Sequence, residues 1–215
     1  KSTFGKPGIN KITATDVGGT TYQVVNRPVD PEKTQTPADP ASAVTIEFMD
    51  LPRLPWDTST TDDVVYLAAT GAPYYGSNVL RSDDGGTTWK LAVYDAGNAT
   101  MGRTTTALAA GPTNFWDNGN TVDVPLQHGT LENRPAVDVL NGYNAALVGN
   151  EIIQFKAAQL IAVDTYRLSG LLRGRLGTED QIATHTANDR FVLLNSSTIG
   201  RLTVPSTDWY NTRTY

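Results

Sequence analysis

The residues best suited to acid–base chemistry are two histidines and a larger set of carboxylates, and their spacing matches no catalytic motif. His128 and His185 lie far apart and belong to neither an H-x-x-x-H nor an H-E-x-x-H arrangement. The chain has no cysteine and no G-x-S-x-G sequence, so the usual nucleophile signatures are missing. Glu132 and Glu151 could be paired as in a glycosidase, but nothing singles them out from the other carboxylates. We therefore expect no enzymatic activity and no cofactor, with both histidines as hydrogen-bonded surface groups.

A second pattern with chemical meaning is the sequence SDDGGTTW at 82–89, which fits the Asp box S-x-D-x-G-x-T-W. We expect it to lock a hairpin: the Asp84 carboxylate accepts turn N–H groups, and Trp89 packs under the loop. A sugar site or one glycosidase blade is the alternative, but a propeller would repeat the box and this chain has one. A calcium loop starting at Asp83 would place Tyr94 at the bidentate position, so no metal is expected. The predicted structural members of the box are Ser82, Asp84, Gly86, Thr88 and Trp89.

Two arginines, Arg173 and Arg175, flank Gly174 in a glycine-rich run. The glycine spacing is neither that of a Rossmann fingerprint nor that of a P-loop, although an anion site remains the alternative. We expect both arginines to bind neighbouring carboxylates or another subunit through bidentate hydrogen bonds.

Aromatic residues occur in pairs within two loop-like segments, which is a pattern used for recognition of glycans or proteins. Rings stack on sugars, and nearby amides hydrogen-bond to hydroxyl groups. The alternative is that the rings cap the ends of a sandwich. The candidate recognition residues are Tyr74, Tyr75, Phe115 and Trp116.

The element that must position the arginines is the segment 166–194, around which the rest of the chain is organised. Period-2 apolar residues predict a strand from Tyr166 to Leu172, and the glycines that follow predict a tight turn. A capping box then predicts a short helix to about His185, and Arg190–Leu194 returns as an apolar strand. The predicted turn and cap residues are Gly174, Gly177, Thr178 and Gln181.

The remaining sequence predicts a mostly β fold, a sandwich-like or barrel-like antiparallel meander with one short helix near 178–185 and a proline-rich arm. Residues 145–172 are expected to form a three-strand meander. The predicted strands are 43–51, 62–70, 78–82, 87–96, 121–126, 145–149, 151–158, 165–172, 190–194 and 201–204.

Three parts of the chain differ in character. Residues 1–43 combine a hairpin around Gly18-Gly19 with a linker or arm containing Pro28, Pro31, Pro37 and Pro40. Residues 44–205 form the β domain. Residues 206–215 are expected to begin a strand leading into a following segment, which predicts that the chain is part of a longer polypeptide.

Charge and hydropathy exclude two classes of partner. The net charge is −5 with a pI near 4.9, so we expect no binding to nucleic acid. No stretch is apolar enough for a membrane-spanning segment, so none is expected.

Four sequence blocks occur in the order found in one known family. They are VLRSDDGGTTW, TMG, ALVGNEIIQF, and LLRGRLGTE followed by a histidine and RFVLL. In these blocks the chain resembles the C-terminal region of the large tail-tip proteins of siphophages and gene transfer agents, over about Leu51 to Leu194. Those proteins form the hub and baseplate at the distal end of the tail.

The resemblance implies a structural virion component at the tail tip that contributes to tail assembly and host attachment. It implies other tail proteins and copies of the same chain as partners, with a homotrimeric hub, and a glycan or protein of the host surface as a further partner. A carbohydrate-binding or glycan-cleaving module, indicated by the single Asp box, is the alternative.

Overall fold

The computed structural model describes residues 13–15, 21–23, 43–58 and 62–215, in two units that span residues 1–40 and 41–215. In the first unit, β1 (Thr13–Thr15) and β2 (Thr21–Gln23) pair antiparallel, with Thr15 opposite Thr21. The turn at Gly18-Gly19 and the predicted proline-rich arm lie outside the described residues.

The described residues of the second unit form eleven strands and one short α-helix. In chain order they are β3 (Thr45–Met49), β4 (Asp63–Thr70), β5 (Ser77–Arg81), β6 (Lys90–Asp95), β7 (Met101–Arg103), β8 (Val122–His128), α1 (Ala136–Leu140), β9 (Ala145–Val148), β10 (Glu151–Ala162), β11 (Thr165–Leu172), β12 (Arg190–Leu193) and β13 (Ile199–Val204).

Six of these strands close into an antiparallel barrel in the order β10-β11-β8-β7-β12-β9. The predicted meander is present, because β9 pairs with β10 and β10 pairs with β11. Closure comes from β9, which also pairs with β12, so that Leu147 lies opposite both Ile152 and Val192. The mostly β, barrel-like fold class is therefore confirmed.

The other strands form two smaller sheets beside the barrel. One has the order β13-β4-β3, and the other is the β5-β6 hairpin that carries the Asp box. In the first sheet, Leu202 lies opposite Val65, and Phe48 lies opposite Leu67.

Burial on two faces explains the continuous apolar runs of the barrel strands. Inside the barrel, Phe155, Leu168 and Phe191 belong to one buried cluster. Leu147 and Ile152 point the other way, into a second buried cluster shared with β3 and β4. Strands covered on both faces lose the alternation of polar and apolar residues that marks a half-exposed strand.

The α-helix lies at Ala136–Leu140, and the short helix predicted near 178–185 is present only as a 3-10 turn at Glu179–Gln181. Two 3-10 turns, Arg175–Gly177 and Glu179–Gln181, occupy the start of that region. The capping box does not form, since the Thr178 hydroxyl accepts the N–H of Ile152 in the barrel and donates to the Arg175 carbonyl. Gln181 donates instead to Asp180.

The C-terminal segment spans residues 206–215, where the sequence predicted the beginning of a strand. It forms a 3-10 turn at Ser206–Asp208, and Thr214 then makes a single β-bridge to Ser82. Asp208 binds both Arg81 and Arg213, which fastens the segment to the β5-β6 hairpin. Among the described residues, no helix has the length and apolar character needed to cross a membrane.

Candidate functional site

The strongest concentration of ionisable groups surrounds Glu151, the first residue of β10, whose side chain is fully buried. Its Oε1 accepts hydrogen bonds from Arg173 Nε at 2.9 Å and from the Gly174 amide at 2.7 Å. Its Oε2 accepts from Arg173 Nη2 at 2.8 Å and contacts His185 Nε2 at 2.6 Å. The carboxylate therefore has a bidentate arginine and two further partners, which occupies both of its oxygens.

Arg173 directly follows β11 and extends this arrangement to a loop. Its Nη1 donates to the Ala109 carbonyl at 2.8 Å and to Asp117 Oδ2 at 3.2 Å. Asp117 also exchanges backbone hydrogen bonds with Leu171 and accepts from Asn120. The guanidinium thus joins the loop before β8 to the end of β11.

His185 lies between two carboxylates, and its side chain is 1% exposed. Its Nδ1 is 2.9 Å from Asp189 Oδ2, while Nε2 faces Glu151. Only the doubly protonated imidazolium can donate to both acceptors. We call Asp117, Glu151, Arg173, His185 and Asp189 the polar cluster.

The hydrogen bonds within the cluster shift the pKa of Glu151 and the pKa of His185 in opposite directions. Burial by itself lowers the pKa of His185, but the hydrogen bonds to Glu151 and Asp189 outweigh it, so the pKa is raised. Burial raises the pKa of Glu151, but the donors His185, Arg173 and the Gly174 amide leave it lowered overall. The hydrogen bonds of the cluster thus favour the charged forms of its three carboxylates and of His185.

The polar cluster is arranged as a clamp. The side chains of Glu151 and Arg173 are 0% exposed, so no substrate atom can reach them in this structure. Asp189 extends the clamp, because its backbone N–H donates to the Thr104 hydroxyl and its carboxylate accepts from Thr186. The cluster thus ties together the loop before β8, the start of β10, the end of β11 and the segment before β12.

Of the two alternatives expected for Arg173, the structure shows the neighbouring carboxylates, because its buried guanidinium makes a bidentate contact with Glu151 and also binds Asp117 of its own chain. Arg175 differs: it is half-buried, and its Nε donates to Gln154 Oε1 at 2.9 Å. Its two terminal nitrogens have no partner in the part of the chain that the structure describes.

The expectation that His185 is a surface group is wrong, because its side chain is buried between Glu151 and Asp189. The structure does not unite the pair considered from sequence, since Glu132 is exposed and binds Arg134 whereas Glu151 is buried. A signal for Glu151 and Arg173 existed: each adjoins an apolar run that must be buried, and a buried charge requires a partner. No comparable signal marked Asp117 or Asp189.

The glycine turn has the left-handed backbone that the sequence predicted. Gly174 has φ of 57° and Gly177 has φ of 87°. Leu171, Leu172 and Ile182 are buried beneath the turn. The turn contains a further left-handed residue that was not predicted, Leu176, with φ of 57°.

The Asp box has the hydrogen bonds expected of a hairpin lock. Asp84 Oδ1 accepts from the amides of Thr87 at 3.1 Å and Thr88 at 2.8 Å, and Oδ2 accepts from the Thr88 hydroxyl at 2.7 Å. Ser82 donates to Asp84 and accepts from the amide of Gly86, which has φ of 96°. These bonds, led by the one from the Thr88 amide, lower the pKa of Asp84. Trp89 differs from the expectation, because it is 46% exposed and does not pack fully under the loop.

The candidate recognition aromatics are divided by the fold. Tyr75 and Phe115 are 65% and 67% exposed. Tyr74 is half-buried and donates to the Asp95 carbonyl at 3.0 Å, and Trp116 is half-buried beneath the Lys156 ammonium group, 4.3 Å from the ring centre. The two pairs therefore each supply one exposed ring.

Within the described ranges, no group of three or more histidine, aspartate or glutamate side chains is arranged to hold a metal ion. The polar cluster instead neutralises its carboxylates with Arg173 and His185.

Comparison with known proteins gives one family match. Residues 99–192, a little under half of the chain, match the model of the family described as "Rcc01698-like, C-terminal". No curated protein matches the chain. The matched range runs from Ala99, just before β7, to Val192 within β12, and so coincides with the closed barrel and contains the whole polar cluster.

Proposed function

We propose that this chain is a structural segment of a phage-type tail-tip or baseplate hub protein, with roles in tail assembly and host attachment. The observation that carries the proposal is the arrangement of the resembling sequence blocks in the fold. Three of the four blocks contribute β7, β9, β10, β11 and β12 to one closed barrel. The family match covers the same barrel.

The barrel suits a component that must keep its shape within a larger assembly. A closed barrel has no free strand edge, so its strands do not pair edge to edge with strands of neighbouring chains. The polar cluster fixes the glycine turn onto the strands through charged hydrogen bonds. Assembly contacts are then expected at the exposed ends of the barrel.

Exposed apolar residues provide surface for such contacts. At the far end of the β10-β11 hairpin, Leu160 and Val163 are 61% and 88% exposed. On the glycine turn, Leu176 is 42% exposed beside the partly unpaired guanidinium of Arg175. Copies of the same chain in a trimeric hub, and neighbouring tail proteins, are the partners we propose for these surfaces.

The geometry does not favour the alternative of a glycan-cleaving module. Such a module needs an acid and a base that can reach a glycosidic bond. Glu151 and His185 lie 2.6 Å apart, but both side chains are enclosed. The Asp box uses its carboxylate for its own turn.

The proposal can be tested on particles released by the organism that encodes the chain. Purified particles would be separated into head and tail fractions, and each fraction would be analysed by peptide mass spectrometry. We expect peptides from 99–192 in the tail fraction, in stoichiometry with a known tail protein. Their absence from the particles, with the chain still present in the cells, would refute the proposal.

A further inference from the structure

A groove with an unused set of polar groups lies on the surface beside α1. It has a volume of about 450 Å³ and is bordered by segments that follow β3, precede and follow α1, and follow β12. We call it the Trp56 groove and define it by Trp56, Glu132, Arg134, Tyr143 and Asn195. Its size is in the range of small-molecule sites.

Two aromatic side chains are presented to this groove. Trp56 is 37% exposed, and Tyr143 is 54% exposed. The Arg134 guanidinium lies over the Tyr143 ring at 5.0 Å from its centre and holds the ring in place. Fixed, accessible rings provide flat apolar surfaces on which a flat face of a ligand can stack.

The polar groups of the groove are mostly unpaired, in contrast to those of the polar cluster. Arg134 uses only Nη2, for Glu132, and its Nε is buried without a partner among the described residues. Asn195 uses its Oδ1 for Ser197, which leaves the amide nitrogen free within the described part of the chain. The Trp56 indole N–H and the Tyr143 hydroxyl likewise have no hydrogen bond to any described residue. The groove therefore offers donors and acceptors around aromatic surfaces.

An apolar cleft adjoins the groove and shares Trp56 and Leu194 with it. The cleft has a volume of about 270 Å³, and Leu54, Leu140 and Leu176 are among its lining residues. Leu176 occupies the left-handed conformation noted above, a strained backbone of the kind that clusters at functional sites. A ligand in the groove can thus place a small apolar substituent in the cleft.

We propose that the Trp56 groove is a saccharide-binding site. A sugar ring has an apolar face for Trp56 or Tyr143 and a rim of hydroxyl groups for the unpaired donors and acceptors. An N-acetyl substituent matches the adjoining cleft. An extended peptide is the weaker choice, because β9, the strand behind the groove, is hydrogen-bonded on both sides by β10 and β12 and cannot accept an added strand.

This inference rests on the proposed function in one respect: the saccharide is expected to come from a cell surface. Its test does not use particles, so a negative result would leave the tail assignment standing. Conversely, if the groove binds saccharide but the chain is absent from tails, only the proposed function is refuted.

The test uses the full chain and saturation-transfer NMR with three saccharide probes: cellotriose, triacetylchitotriose and trigalacturonate. A pool of short unstructured peptides is the fourth probe. We expect transfer to triacetylchitotriose and an affinity about tenfold lower in Trp56→Ala and Tyr143→Ala, the usual scale of an aromatic contact. The matched controls are Trp89→Ala and Tyr94→Ala, which are similarly exposed at 46% and 55% but lie on the β5-β6 hairpin. They should bind as the unmodified chain does.

Several outcomes would overturn the inference. The absence of transfer to all three saccharides would do so, and so would transfer to the peptide pool alone. Binding that is equally weakened by the groove variants and the hairpin controls would show that the groove is not the site. Circular dichroism of each variant would establish that it is folded.

Discussion

Glu151 and Arg173 carry opposite charges in a place that water does not reach, and each depends on the other. Removing a charge from water is costly, and attraction within a buried pair offsets that cost only when the geometry is good and every remaining polar atom has a partner. The two parallel hydrogen bonds at 2.9 and 2.8 Å meet this condition. Deletion of one partner should therefore cost far more than deletion of an exposed ion pair.

We predict that Glu151→Gln lowers the free energy of unfolding by about 3–5 kcal/mol, because Arg173 loses its counter-charge and the new amide N–H groups face other donors. The matched control is Glu132→Gln, whose carboxylate is 67% exposed and pairs with Arg134 on the surface. That change should cost less than about 1 kcal/mol. Urea unfolding of the purified chain measures both values. Similar losses in the two variants would mean that the polar cluster is not a stabilising clamp.

His185 gives the cluster a dependence on pH. Its pKa is raised in the folded chain by Glu151 and Asp189, so the folded state holds the proton more tightly than the unfolded state does. The resulting stabilisation is complete below about pH 6.5, the ordinary histidine value, and is lost as the pH rises through the folded pKa. Arg173, which also faces the ring, lowers the pKa and reduces the effect.

We therefore predict that the free energy of unfolding declines as the pH is raised from about 6.5 into the alkaline range. The decline should be absent in His185→Gln and retained in the control His128→Gln, which alters an exposed histidine outside the cluster. Urea unfolding at a series of pH values measures the slope. Stability that rises with pH, or an unchanged slope in His185→Gln, contradicts the assignment of the proton to His185.

The glycine turn at 174–177 shows how an element can need glycine for two different reasons. A Cβ at Gly174 would lie 2.8 Å from Glu179 Cα and 3.1 Å from Ile182 Cδ1, in addition to the strained φ. A Cβ at Gly177 would meet nothing within 4 Å, so only its φ of 87° resists substitution. Gly177 therefore needs glycine for its backbone conformation and not for lack of space.

We predict that Gly177→Ala costs about 1–2 kcal/mol, the usual penalty for a left-handed residue with a side chain. Gly174→Ala should exceed that loss by at least about 1 kcal/mol, because the backbone of Glu179 must also move. Urea unfolding of the two variants gives the comparison. The reverse order, with Gly177→Ala the more damaging, would show that the turn packs differently.

Within the residues that the structure describes, the Asp84 carboxylate forms hydrogen bonds only within its own hairpin, so its removal should change the hairpin and not the barrel. We predict that Asp84→Ala accelerates hydrogen exchange at the amides of Thr87 and Thr88, which lose their acceptor, while Ile152 and Leu168 in the barrel stay protected. Asp84→Asn, which keeps one acceptor oxygen, should have an intermediate effect. Equal acceleration in the barrel would indicate that the hairpin is needed for the whole fold.

The elements differ in how far the sequence predicted them. Strands such as β10 and β11 were predictable because each has a run of apolar residues bounded by turn residues. The three-residue β7 was missed, since it is too short for periodicity and is defined by its partners β8 and β12. The helix predicted near 178–185 is only a single 3-10 turn, because Thr178 binds Ile152 in the barrel and does not form the predicted capping box.

The polar cluster was less predictable than the fold. Its members come from distant parts of the chain, and only barrel closure brings Asp117 and Asp189 to opposite sides of Glu151 and Arg173. Apolar neighbours mark Glu151 and Arg173 as buried, but they do not identify the partners. The local glycine turn and Asp box depend on residues close in sequence, and so their main features could be predicted.

At the scale of the whole molecule, the family match covers the closed barrel but not the sheets beside it. The family match ends where the barrel ends, whereas β3, β4 and β13 cover the outer surface of β9 and β10 and lie outside it. The matched range therefore covers the barrel and does not include the covering sheet or the Asp-box hairpin. A hub assignment thus concerns the barrel and the surfaces at its ends.

The measurement that tests this assignment most directly is the position of the chain on intact particles. Antibodies raised against the purified chain would be applied, with gold labels, to particles from the encoding organism and examined by electron microscopy. We predict label at the distal end of the tail, lost after adsorption of the antibody with the purified chain. Label on the head or along the tail shaft, or no label on particles that contain the protein in accessible form, would contradict the assignment to the tail tip.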